Sequence, residues 1–174
     1  MSRNLPKKLF NRKTLIVARA LMGALLCRKV GNKTIKLPIT EVEAYDGPED
    51  KASHASRGKT MRNYPMFGEG GHWYLYFVYG NHWMLNIVTG PKDYPAAVLI
   101  RGAGDIKGPG RLTKFLTIGK DLNNKIANKK NGLWIEKSVT PIPKGQRVII
   151  KKTPRIGVDY AGPIWAKKLY RFTL

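Results

Sequence analysis

Apolar side chains recur at three- and four-residue spacing across residues 12–28, with Leu15, Ala18, Met22, Leu25 and Leu26 on one side and Arg12, Arg19 and Arg28 off it. That spacing predicts an amphipathic helix ended by Gly31-Asn32. Residues 34–45 read as an extended segment interrupted by Pro38. Alternation along it puts Ile39, Glu41, Glu43 and Tyr45 on one face and Thr40, Val42 and Ala44 on the other, so Glu43 and Tyr45 point the same way.

Residues 46–71 are rich in Gly, Pro, Ser and charge, a length of loop that a compact domain keeps for function. Two aromatic and β-branched runs follow, 73–79 and 83–89, separated by Gly80-Asn81-His82 as in a hairpin. Residues 96–101 predict a third strand and 111–118 a short helix. Residues 133–137 and 147–153 predict two further strands, the second leading into Pro154-Arg155-Ile156-Gly157-Val158. No internal repeat or low-complexity linker interrupts the series. The expected fold is α+β, a single domain over residues 1–174 with a curved, mainly antiparallel sheet flanked by helices.

Charge changes the picture. The chain carries 32 Lys and Arg against 11 Asp and Glu, a net +21 on 174 residues, with 43% hydrophobic residues. A disordered basic tail would be poorer in Leu, Ile and Val, so the charge belongs to a folded surface, and a polyanion is the expected partner. The basic residues are spread from Lys7 to Arg171 rather than gathered on one helix face, which favours nucleic acid over a lipid surface. The apolar run 15–27 is broken by Arg19 and is too short to span a bilayer. No secretion signal and no membrane association are expected, and the compartment is intracellular: cytoplasm or nucleoid in a prokaryote, nucleus in a eukaryote. Cys27 stands alone and reads as a core thiol. His54, His72 and His82 lack metal-ligand spacing, so neither metal nor other cofactor is expected. No heptad or long apolar stretch calls for another chain, so a monomer without an obligate protein partner is expected.

The chemistry concentrates between Glu41 and Asn86. Glu43 is followed by Tyr45, His54, Tyr74, Tyr76, Tyr79 and Asn86, a set suited to gripping a flat, hydrogen-bonding ring and activating a water beside it. Hydrolysing a base–sugar bond requires a carboxylate to take a proton from water and steady an oxocarbenium-like transition state, and Glu43 is the candidate. Aromatic neighbours would partly desolvate it and raise its pKa. The plainer alternative is a surface carboxylate beside Glu41. Tyr79, at the start of a turn, could project from the hairpin tip and wedge into a duplex, or could be an ordinary strand tyrosine. A catalytically inert RNA-binding module, with strand aromatics stacking on bases, accounts for the same charge.

The segments Glu41-Val42-Glu43-Ala44-Tyr45-Asp46-Gly47-Pro48-Glu49-Asp50 with His54, Arg62-Asn63, Met66-Phe67, Tyr74-Leu75-Tyr76-Phe77-Val78-Tyr79-Gly80, Asn86-Ile87 and Val98-Leu99-Ile100-Arg101 closely resemble the alkyladenine (3-methyladenine) DNA glycosylase family. The resemblance continues through Gly108-Pro109-Gly110-Arg111-Leu112-Thr113-Lys114 and Arg155-Ile156-Gly157-Val158 with Tyr160-Ala161, and so covers nearly the whole chain. It implies a monofunctional enzyme that flips alkylated or deaminated purines, including 3-methyladenine, hypoxanthine and ethenoadenine, out of duplex DNA and removes them with water. By the same resemblance Glu43 is the general base, with Arg101 and the backbone of Ile156 helping to hold the water. Tyr45, His54 and Tyr76 form the base pocket, Asn86 and Leu99 disfavour the amine of normal guanine, and Tyr79 intercalates. His82 and Trp83 depart from the family pattern after the wedge turn and are expected to pack the hairpin. The short loop between Arg101 and Gly108 implies fewer flanking DNA contacts.

Overall fold

The structure is a computed structural model that describes residues 4–138 and 149–174. In chain order its elements are α1 (Lys7–Phe10), α2 (Thr14–Leu21), β1 (Leu25–Val30), β2 (Lys33–Asp46), β3 (Trp73–Val78), β4 (His82–Val88), β5 (Ala96–Ala103), β6 (Ile106–Lys107), α3 (Pro109–Phe115), β7 (Leu133–Glu136), β8 (Lys151–Thr153), α4 (Gly162–Ala166) and β9 (Arg171–Thr173). Short 3₁₀ turns at His54–Arg57, Tyr64–Phe67, Lys120–Leu122 and Asp159–Ala161 punctuate the loops. The result is one mixed α/β domain whose strands form an antiparallel sheet in the order β3-β4-β5-β2-β1-β7, with β6 against β5 and β9 between β2 and β8.

β2 organises this sheet because it is long enough to serve two sets of neighbours. Its first half pairs with β1, from Val30↔Lys33 to Leu25↔Pro38. Its second half pairs with β5 on one edge and β9 on the other. Between the halves the register with β5 shifts at Ile39/Glu41 and again at Glu41/Val42. A bulge of this kind resets which way side chains point. Ile39, Val42 and Ala44 are all completely buried in the main core. The strict alternation that placed Ile39 with Glu41, Glu43 and Tyr45 is therefore corrected, while Glu43 and Tyr45 do share a face.

That main core lies on one side of the sheet. Trp73, Leu75, Leu85, Ile87, Val98 and Ile100 meet Val17, Ala18 and Leu21 of α2 and Leu112 and Leu116 from the α3 region there. Trp73 has no exposed surface, and its indole N–H is satisfied by the Leu133 carbonyl at 3.1 Å. Burying an aromatic ring of this size with its polar atom paired is the favourable case for a core tryptophan. The opposite face of the same strands carries the candidate chemistry.

The helix expected over residues 12–28 ends at Leu21. Gly23, at φ 77°, turns the chain and donates its N–H to the Ile39 carbonyl, so residues 25–30 become β1. The apolar Leu25-Leu26 pair suited helix and buried strand equally, and pairing on both edges, with β2 and β7, decided for strand. Gly31-Asn32 is the two-residue turn of the β1–β2 hairpin rather than a helix stop. Cys27 is buried as expected, but on a strand, and burial pushes its thiol pKa up to about 11. Of the strand expected over 147–153, residues 147 and 148 lie outside the described residues and 151–153 form β8.

His82 and Trp83 pack the hairpin as expected. The Trp83 ring meets Phe77 at 4.9 Å, tilted by 48°, and the Trp83 carbonyl accepts the Thr113 hydroxyl at 2.8 Å. A Cβ on Gly110 would stand 2.7 Å from the His82 ring, so a glycine there lets α3 approach β4. Among the described residues no helix is long and apolar enough to cross a membrane.

Candidate active site

Four strands bring the candidate residues into one transverse row. Tyr74 pairs with Asn86, Asn86 with Leu99, and Leu99 with Glu43, which on its other edge faces Arg171. Because side chains directly opposite in adjacent strands point to the same face, the row displays Tyr74, Asn86, Leu99 and Glu43 together. Tyr76 and Tyr45 lie two residues further along β3 and β2.

An aromatic cavity of about 40 Å³ opens over this face. Tyr45, His54, Tyr76 and Asn86 line it, together with Ala52, Ser53, Met66, Tyr74, Ala97 and Tyr160. The His54 ring meets Tyr76 edge-on at 4.5 Å, and its Nδ1 lies 2.9 Å from the Tyr74 hydroxyl. Burial against the tyrosines, with Arg62 nearby, lowers the His54 pKa even though one side of the residue is open. Arg62 lies 5.4 Å above the Tyr76 ring and donates to the Phe77 carbonyl at 3.0 Å. The Asn86 amide nitrogen donates to the carbonyls of Tyr74 and Met84 at 3.1 and 3.3 Å, which fixes the amide plane.

The His54 wall is held by its own loop. Asn63 donates to the carbonyls of His54 and Gly58 at 3.0 and 2.9 Å and accepts the Thr60 N–H at 2.7 Å. Asn63 is buried. A long polar loop thereby keeps a fixed shape without strands of its own.

Glu43 has no exposed surface. Its Oε1 accepts the Ile156 N–H at 2.8 Å, and its Oε2 accepts the Tyr45 hydroxyl at 3.0 Å and Arg101 Nη1 at 3.4 Å. Desolvation raises its pKa, against the opposing pull of Arg101, the Ile156 N–H and the Tyr45 hydroxyl. Glu41 differs. Desolvation acts on it as well, but hydrogen bonds from Arg171 and Arg101 Nε, at 2.7 and 2.8 Å, outweigh it and lower its pKa. Arg101 thus touches both carboxylates, and although burial works against its charge, Glu43 and Glu41 keep its pKa raised.

Two of the candidate residues stand outside the cavity lining. Glu43 is not one of the walls of the cavity, because the Tyr45 hydroxyl lies against its Oε2 and Tyr45 itself forms the wall. Leu99 is buried in the row between Asn86 and Glu43 and is not a wall either. Arg101 and the Ile156 N–H do converge on Glu43. Tyr79 stands apart at the hairpin tip, 93% exposed and at φ 51°.

Tyr160 is the wall that sequence order could not place. It sits on the 3₁₀ turn Asp159–Ala161, far from His54 in the chain, and its hydroxyl donates to the Ala52 carbonyl at 2.9 Å. Only the Tyr160-Ala161 match hinted at it. Tyr74 was in the candidate set and Met66 in the resemblance, whereas Ser53 was only adjacent to His54.

The sequence matches the family model described as Methylpurine-DNA glycosylase (MPG) over residues 8–107 and 103–174. The chain belongs to the methylpurine-DNA glycosylase family. Relatives of this glycosylase-family chain share nearly its whole extent. One from Anaeromyxobacter dehalogenans (strain 2CP-C) is 40% identical over 177 residues, covering 98% of this chain and 83% of its own length. One from Methanocella arvoryzae is 39% identical, covering 91% and 86%, and one from Legionella pneumophila (strain Corby) is 39% identical, covering 98% and 93%. Each of the three is named "Putative 3-methyladenine DNA glycosylase". The match therefore extends across the row of strands and across the Arg155-Ile156 segment that meets it.

Proposed function

We propose that this protein is a monofunctional DNA glycosylase that flips alkylated or deaminated purines out of duplex DNA and hydrolyses the N-glycosidic bond with a water activated by Glu43. The observation that carries the reading is a fully buried carboxylate with a raised pKa, placed one tyrosine away from an aromatic cavity on the same sheet face. Membership of the methylpurine-DNA glycosylase family supports it.

A cavity of about 40 Å³ holds only a few waters, each needing about 10–15 Å³ by the same measure. A purine enters only if aromatic walls part, and in this reading the partly buried wall residues Tyr76 and Tyr45 stack on its two faces. Movement of Tyr45 onto the ring withdraws its hydroxyl from Oε2 and opens Glu43 to the sugar side. A carboxylate offers about four lone-pair sites, and only three are engaged here, so one remains for a water proton. Alkylation aids the leaving group, since a positively charged purine stacks better on tyrosine and departs neutral. Among the described residues, none lining the cavity is a lysine, which favours water over a Schiff base as the nucleophile. Tyr79 fills the gap left in the duplex, offsetting a stacking loss of a few kcal/mol.

The test uses duplex oligonucleotides carrying 3-methyladenine, hypoxanthine or ethenoadenine, incubated with protein and then alkali. Strand scission at the lesion, lost in Glu43→Gln, is the expected result. Absence of scission on every lesion at several salt concentrations, with tighter binding to RNA than to DNA, would leave an inert RNA-binding module as the better reading.

A further inference from the structure

Arg155 and Asp50 are the one ion pair among the described residues in which both side chains are entirely buried. Arg155 forks onto both Asp50 oxygens, with Nη2–Oδ1 at 2.9 Å, and Asp50 also accepts the N–H groups of Asp46 and Ala52 at 3.1 Å. Burying two charges is costly unless each is fully engaged, so the pair demands an explanation. Its surroundings supply one. Arg155 Nη1 donates at 2.8 Å to the carbonyl of Ala44, the residue between Glu43 and Tyr45, and the guanidinium lies 4.8 Å from the Tyr45 ring centre. The next residue along the chain, Ile156, donates its N–H to Glu43.

We propose that Asp50 and Arg155 are positioning residues for Glu43, holding the Ile156 N–H on one carboxylate oxygen and the Tyr45 hydroxyl on the other from a single buried anchor. The proposal rests on the reading of Glu43 as the water-activating base. Through Asp50 the anchor reaches the loop that follows β2, and through Arg155 it reaches the segment that precedes Tyr160, so both ends of the cavity rim are tied to the same pair. Replacing Asp50 or Arg155 loosens two donors that favour the ionised form of Glu43. The other groups facing Glu43 stay in place: Glu41 on β2, Arg101 on β5, Arg171 on β9, Tyr76 on β3 and Tyr160.

Arg155→Lys keeps the charge but cannot fork, and Asp50→Asn keeps the shape but not the charge. Each is made in the full chain and checked for cooperative thermal unfolding. Carbon-13 labelling of glutamate reads the Glu43 carboxyl titration directly, and excision from a hypoxanthine duplex is followed against pH. The expected result is excision at neutral pH reduced about 10²-fold in both variants, as for a misplacement of about 1 Å, with the titration moved to higher pH and partial recovery in more alkaline buffer in Arg155→Lys; in Asp50→Asn the uncompensated Arg155 charge opposes that rise. Folded variants whose titration and pH profile match the wild type would overturn the proposal. A moved titration combined with normal excision by Glu43→Gln would uphold the anchor and remove the general-base reading instead. Should neither variant fold, the wild type decides: the Ile156 amide proton shift must follow the Glu43 titration and resist exchange with solvent, and an amide that does neither sinks the proposal.

Discussion

The Tyr45 hydroxyl donates to Glu43 Oε2 across 3.0 Å, and both side chains leave the same face of β2 two residues apart. One tyrosine is thus at once a wall of the aromatic cavity and a hydrogen-bond donor to the carboxylate behind it. Under the proposed function, the two roles make Tyr45 the switch between a sealed Glu43 and one open to water.

Tyr45→Phe keeps the ring and deletes the donor. Loss of a hydrogen bond to the ionised form raises the Glu43 pKa further, and a base acts only when ionised, so the acidic limb of the pH–rate profile moves to higher pH. Single-turnover excision measured across acidic and neutral buffers reads the limb directly. A limb that stays where it is in Tyr45→Phe would dissociate the hydroxyl from the chemistry.

Glu43→Gln should reduce base release by about 10²-fold or more, the scale for losing a general base, while lesion-duplex binding by gel shift persists. It should also change stability in a pH-dependent way. The folded pKa of Glu43 is raised above its unfolded value, so the folded state binds the proton more tightly and stability falls as pH rises through the interval between the two. The neutral amide escapes that loss. Melting curves should show the variant gaining on the wild type at pH 8 and the advantage shrinking towards pH 4. Glu41, whose pKa is lowered, has the opposite sign: its contribution is present above the unfolded value and is lost on acidification, so Glu41→Gln should lose stability at pH 8.

Tyr79 holds φ 51° while 93% exposed. A left-handed backbone costs a bulky residue of order 1–3 kcal/mol, and glycine adopts it freely. Tyr79→Gly is therefore expected to leave the melting temperature unchanged or higher while weakening binding to lesion and abasic duplexes more than to undamaged duplex. Equal weakening on all three duplexes would remove the wedge.

Binding should depend steeply on salt. A protein neutralising about 6–10 phosphates loses roughly 10³- to 10⁵-fold in affinity between 50 and 200 mM salt, and the net charge of +21 places this chain in that class. Fluorescence anisotropy on a short duplex measures the slope. A flat salt response would mean that the charge serves another partner.

Residues whose role depends on local alternation were readable along the chain. Tyr74 and Tyr76 share a face because a strand repeats every two residues, and the β3–β4 hairpin follows from its flanking aromatic runs and the Gly80-Asn81 turn. Leu25-Leu26 was misread because a short apolar run satisfies helix and strand alike until a neighbour supplies its backbone hydrogen bonds. Ile39 was misassigned because a bulge is a property of two strands together, and one strand's sequence does not carry it.

By itself the sequence determined the basic surface, the series of strands, and the pairing of one carboxylate with one tyrosine two residues on, since these depend on composition and short-range geometry. The tertiary structure decided which distant groups meet them. Ile156 reaches Glu43 across 113 positions and Arg155 reaches Asp50 across 105, contacts created by sheet order and by a buried ion pair. It also decided that Glu43 is sealed behind Tyr45 rather than open to the cavity, because desolvation depends on everything packed around a group and spacing along the chain records only its neighbours in sequence.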